Sequence, residues 1–185
     1  MRWSFPGRRV LSVIAGVASV LSLVVPANQI PAGAASPTVG RSAGYWAVAS
    51  DGGIFAFGDA GFYGSTGAIS LNKPIVGMAS TPSGKGYWLT ASDGGIFAFG
   101  DAGFFGSTGA ISLNKPITGM ASTLSGKGYW LTATDGGIFA FGDAKFHGAA
   151  AAERAAGKPA LSVVGLISTP TGAGYWQVAA DGQVF

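Results

Sequence analysis

A tyrosine-tryptophan pair returns four times along the 185-residue chain, at Tyr45, Tyr87, Tyr129 and Tyr175, with spacings of 42, 42 and 46 residues. Around it Gly86 to Ser107, GYWLTASDGGIFAFGDAGFFGS, repeats almost letter for letter at Gly44 to Ser65 and in altered form at Gly128 to Gly148. Repetition at this period means a supersecondary unit stacked on copies of itself. The repeats run 44–85, 86–127 and 128–173, with a partial copy at 174–185. The first two differ at five of 42 positions, so each copy must meet nearly the same surroundings.

Each copy is punctuated for strands. Tyr87 to Ser92 is aromatic, aliphatic and β-branched, Asp93-Gly94-Gly95 supplies a tight turn, and Ile96 to Phe99 resumes the apolar run. That order reads as a β-hairpin. A second turn at Gly100 to Gly103, a brief Phe104-Phe105-Gly106 and a run from Ile117 to Thr123 bring the expectation to four short strands per copy. The first two copies lack a 3.6-residue apolar period, which disfavours helix. Neighbouring residues of Ile96-Phe97-Ala98-Phe99 are all apolar, so sheets covered on both faces are expected. The expected fold is all-β, a β-propeller-like array of four-stranded antiparallel blades. A β-solenoid is the competing reading, although its rungs are usually shorter. Three and a part repeats fall short of the four to eight blades of a ring. Either subunits of a homo-oligomer complete it, or four partial blades close imperfectly, or the sequence belongs to a longer array; the abrupt end at Phe185 favours the last. The third copy replaces the polar connection with Ala149 to Gly157, read as an inserted loop with the composition for a helical turn or two.

The segment before the repeats has a different character. Arg2, Arg8 and Arg9 precede an apolar run from Val10 to Val25, and Ala32-Gly33-Ala34-Ala35 follows. Basic, apolar and small residues in that order predict a secretory signal peptide over 1–35, cleaved after Ala34 or Ala35. The run is shorter than the roughly 20 residues a membrane span needs. Arg8-Arg9 weakly resembles a twin-arginine signal, but the general secretion route is the better fit. Residues 36–43 read as a linker. The chain has 11 Lys and Arg against 8 Asp and Glu; eleven less the three leader arginines leaves eight of each sign. A neutral mature surface argues against nucleic acid as a partner. Cysteine is absent, which excludes disulfides, thiolate chemistry and Cys-based zinc sites.

The repeat pattern resembles tandem repeats of secreted actinobacterial proteins, which occur alone or beside cell-wall-acting domains such as peptidoglycan amidases. The likeness spans Gly44 to Phe185 and implies an exported surface or cell-envelope protein with propeller-like repeats. Ser92 to Phe97 also resembles a shortened Asp-box, a hairpin motif of sialidases and other propellers, which is chiefly a structural turn.

Candidate chemistry is sparse. His147 and Glu153 are the single histidine and glutamate, both in the third copy, and nothing near His147 resembles a nucleophile elbow. His147 stands where Tyr63 and Phe105 stand, as tolerated variation. Asp51, Asp93, Asp135 and Asp181 recur in the first turn; Asp59, Asp101 and Asp143 recur in the second. Paired carboxylates could serve glycoside chemistry or hold calcium, but the two turns lie at opposite ends of a four-residue strand, about 13 Å apart. All seven are therefore expected to be turn formers. Trp46, Trp88, Trp130 and Trp176 are the first candidates for stacking a sugar ring, with Tyr63 and Phe105 as rim candidates. Packing of each indole between blades is the favoured alternative. No catalytic residue, metal or cofactor is expected. The expected function is a secreted, non-enzymatic module that binds or scaffolds at the cell envelope, with a cell-wall glycan or surface polysaccharide as partner. The alternatives are a targeting module of a peptidoglycan hydrolase and a purely structural surface protein.

Overall fold

The computed structural model describes residues 25–26, 43–153 and 161–185. The expected leader and linker fall outside the described residues except at Val25, Pro26 and Ala43. The fold is all-β, with several small antiparallel sheets and a single helical turn among the described residues.

Four sheets follow one another along the chain. The first holds β1 (Val25–Pro26), β2 (Tyr45–Val48) and β3 (Ile54–Phe57); the second holds β4 (Ile75–Ser80), β5 (Gly86–Ala91) and β6 (Ile96–Gly100). The third holds β7 (Ile117–Ser122), β8 (Gly128–Ala133) and β9 (Ile138–Gly142). After α1 (Ala150–Glu153), the fourth pairs β10 (Val163–Ser168) with β11 (Tyr175–Ala179). The expectation of four strands per blade is corrected to two or three. Phe104-Phe105-Gly106 and its counterparts are irregular, because their backbone groups bond to the next copy rather than to a sheet edge.

The second, third and fourth sheets cross repeat boundaries: the first strand of each closes one copy and the remaining strands open the next. In the second sheet Ala79 faces Trp88, which faces Ala98. Val25–Pro26 hold the corresponding place in the first sheet, Val25 opposite Trp46 and Pro26 opposite Tyr45.

The first strands run beside one another and form the close-packed edge of the stack. Ser122 Oγ donates to Ser80 O at 3.0 Å, and Thr118 Oγ1 donates to Val163 O at 3.0 Å. Gly77 makes this approach possible. A Cβ there would lie 3.3 Å from Met120 N and 3.4 Å from Gly119 Cα, leaving the neighbouring strand no slack. A register shift falls beside the equivalent glycine in each of the three strands, as bulges do where backbones must come close.

Burial is graded across each sheet. The middle strands β5 and β8 are buried along their full length, which matches their lack of polar alternation. Ile96-Phe97-Ala98-Phe99, expected to be covered on both faces, is only half-buried, with Ala98 exposed. It forms the third strand, where adjacent sheets diverge and cannot seal both sides. The core divides into clusters at the sheet boundaries, each joining residues of two successive sheets.

Candidate functional site

The recurring tryptophans lie inside the stack. Trp46, Trp88 and Trp130 are at most 1% exposed, and each indole Nε1 donates to a carbonyl of its own copy: Gly61 at 2.8 Å, Gly103 at 2.6 Å and Lys145 at 2.7 Å. An indole without an exposed face cannot stack a sugar, so these three candidates are withdrawn as contacts. Their place is explained by the ring that meets them from the next copy: Trp46 and Tyr87, Trp88 and Tyr129, and Trp130 and Tyr175 have centroids 5.6, 5.7 and 5.4 Å apart. Trp176, which has no following sheet among the described residues, is exposed.

Beside Trp88, Trp130 and Trp176, the tyrosine ties its copy to the previous one. Tyr87 Oη accepts from Tyr63 N at 3.1 Å and donates to Gly64 O at 2.6 Å. Tyr129 repeats this with Phe105 N and Gly106 O, and Tyr175 with His147 N and Gly148 O. Desolvation raises all three phenols above their ordinary value of 10.0, against the lowering effect of these backbone bonds. This clasp was not legible in the sequence, because its partners are backbone groups 23 to 28 residues away. Tyr63 and Phe105 are half-buried beside it; Tyr63 Oη donates to Gly84 O at 3.1 Å, and Phe105 packs between Trp88 and Tyr129. The His147 ring takes the same place against Tyr175, edge-on at 5.9 Å.

The aspartates divide into two kinds. Asp51, Asp93, Asp135 and Asp181 each accept the backbone N–H two residues on, at 2.8 to 3.1 Å, which closes the hairpin turn. Gly94, in that turn, has a positive φ and packs where a Cβ would collide with the Thr108 hydroxyl. Asp101 and Asp143 instead reach the preceding copy. Asp101 accepts from Thr81 Oγ1 at 2.8 Å and from Ser83 Oγ; Asp143 accepts from Thr123 Oγ1 at 2.9 Å and from Ser125 Oγ. The Ser83 hydrogen bond is the main cause holding the Asp101 carboxyl below its ordinary 3.8, with Thr81 adding to it. Asp59 stands in the matching turn of the first copy and is exposed.

The third copy solves one position differently. In the first two, Thr66 and Thr108 bond to their own turns, donating N–H to Gly52 O and Gly94 O at 3.2 Å. Ala150 replaces that threonine, and Gln177 replaces the leucine seen at Leu89 and Leu131. The buried Gln177 accepts from Ala150 N at 2.7 Å and donates to Gly136 O at 3.0 Å and Thr132 Oγ1 at 2.7 Å. A fully satisfied amide thus replaces the lost threonine bonds. Near it lies an open hollow of about 220 Å³, lined by His147, Thr169, Thr171, Tyr175, Gln177 and Phe185.

What the stack presents outward is a different aromatic. Phe62, Phe104 and Phe146 are 63%, 63% and 62% exposed, one per copy and all before the half-buried Tyr63, Phe105 or His147. The sequence held a signal for them: phenylalanine is constant at this position while the next residue varies. Among the described residues no three His, Cys, Asp or Glu side chains form a group that could hold a metal ion, and no helix is long and apolar enough to cross a membrane. No protein-family model matches the chain, and no curated protein matches it.

Proposed function

We propose that the protein is a secreted, non-enzymatic β-repeat module that binds and scaffolds at the cell envelope, with a glycan as ligand. One observation carries this reading: Phe62, Phe104 and Phe146 hold the same outward position in three successive copies. Tyr87, Tyr129, Asp101 and Asp143, by contrast, are engaged across copies, and Asp51 and Asp93 within their hairpins. An exposed ring costs solubility and repays it by contact. Aromatic faces stack on the C–H faces of pyranose rings. Three equivalent rings on one rigid stack favour a polymer with repeating sugars, where successive contacts become intramolecular.

In this reading the sheets are propeller-like blades arranged in an arc, with the first strands on the inside. The leader directs export, and its removal after Ala34 or Ala35 detaches β1 and leaves β2 and β3 as a pair like β10 and β11. The test is retention on purified peptidoglycan and surface polysaccharide. The folded protein is retained, and Phe62→Ala, Phe104→Ala and Phe146→Ala together abolish retention while a single change weakens it. A folded wild type that is not retained, or a triple variant retained as well as the wild type, ends the proposal.

A further inference from the structure

The two ends of the stack expose apolar faces, and the positions exposed are those that join sheets in its interior. Between the second and third sheets, Val76, Ala79, Trp88 and Ile96 pack in one cluster with Tyr129, Leu131, Phe139 and Phe141. In the fourth sheet the positions matching the first group are Val164, Ile167, Trp176 and Val184, 42% to 60% exposed. In the first sheet the positions matching three of the second group are Tyr45, Phe55 and Phe57, 43% to 56% exposed. Each end therefore carries one half of an interface that already recurs along the chain. Both halves stand open in the same molecule, so they do not satisfy one another within it.

We propose that the open face of the fourth sheet receives the open face of the first sheet of a second copy of this chain. Trp176 meets the partner's Tyr45 as Trp88 meets Tyr129, and Val184 and Ile167 cover the partner's Phe55 and Phe57. Registry is fixed by the same shape that fixes it inside the stack, where the indole-to-phenol spacing stays between 5.4 and 5.7 Å. The contact is heterologous: each joined pair keeps one free face of each kind, so assembly extends or closes as a ring. It is independent of the glycan reading, which rests on the rim phenylalanines and not on the ends.

Sedimentation of the full chain at increasing concentration tests this with two face variants, Phe57→Lys for the first sheet and Trp176→Lys for the fourth. The wild type grows beyond a dimer. Each variant alone is monomeric, with its dissociation constant raised about tenfold or more. An equal mixture of the two forms a dimer and nothing larger, because each supplies the face the other lacks. A wild type that remains monomeric, a variant that associates like the wild type, or a mixture that does not pair overturns the proposal. Fluorescence of the buried tryptophans monitors folding, and Tyr45→Lys with Ile167→Lys repeats the test should either first variant fail to fold. The variant carrying Phe62→Ala, Phe104→Ala and Phe146→Ala together leaves association unchanged while abolishing glycan retention, which separates the two proposals.

Discussion

Trp88 and Trp176 follow the same Gly-Tyr pair in the same strand of the repeat, yet one has no exposed surface and the other is 42% exposed. Nothing in their local sequence accounts for this. Trp88 is sealed by Tyr129 from the next sheet and bonded to Gly103 O; Trp176 has neither partner among the described residues. Burial in a stacked protein is therefore conferred by the neighbour, and identical residues differ in energetic weight according to their place in the array.

Truncation should show the contrast most strongly. Trp88→Ala or Trp130→Ala removes a buried indole from a cluster that joins two sheets, with an expected loss of about 3–5 kcal/mol in urea unfolding. Trp176→Ala should cost about 1–2 kcal/mol, since the residue is already 42% exposed. Equal losses at Trp88 and Trp176 would break the comparison.

The clasp comes next. Tyr129→Phe leaves Phe105 N and Gly106 O without their partner, and should cost about 1–3 kcal/mol. Tyr45→Phe, at the exposed end of the stack, should change the unfolding midpoint little. The contrast between Gln177 and its leucine counterparts is sharper still. Gln177→Leu strands Ala150 N and Gly136 O, and should also cost about 1–3 kcal/mol. Adding Ala150→Thr restores the interior pairing of leucine with threonine, and should recover part of that loss. A double variant no more stable than Gln177→Leu would show that α1 has changed the site beyond side-chain exchange.

The smallest effects concern pH. Tyr87, Tyr129 and Tyr175 have phenol pKa values raised on folding, so their stabilising contribution is whole below pH 10.0 and falls as pH rises past it. Replacing Tyr129 by Phe should flatten the alkaline limb of a thermal melt series. Asp101 shifts the other way: its contribution is present above pH 3.8 and is lost as pH falls through its lowered folded value. Because that carboxylate is almost fully solvated, Asp101→Asn should alter acid stability only slightly.

Much of the architecture was legible in the residues. The 42-residue beat, the Asp-Gly-Gly hairpins and the absence of helical period foretold small antiparallel sheets, because turn chemistry and side-chain period are local properties. The same locality explains the errors. Phe104 to Gly106 has strand composition, but its backbone partners are a tyrosine hydroxyl from the next copy and not a sheet edge. Asp101 and Asp93 look alike as turn aspartates, yet one closes its own turn and the other holds two hydroxyls of the preceding copy.

Sequence alone set the period, the order of strand and turn, and the fact that copies must stack, since sheets so apolar require a neighbour. Only the tertiary structure decided that Trp46, Trp88 and Trp130 are sealed while Phe62, Phe104 and Phe146 face solvent, and that the sheets form across repeat boundaries. The physical reason is that periodicity says which residues are equivalent, whereas exposure depends on what the adjacent sheet covers. At Trp176, where no described sheet adjoins, the same sequence yields an open face.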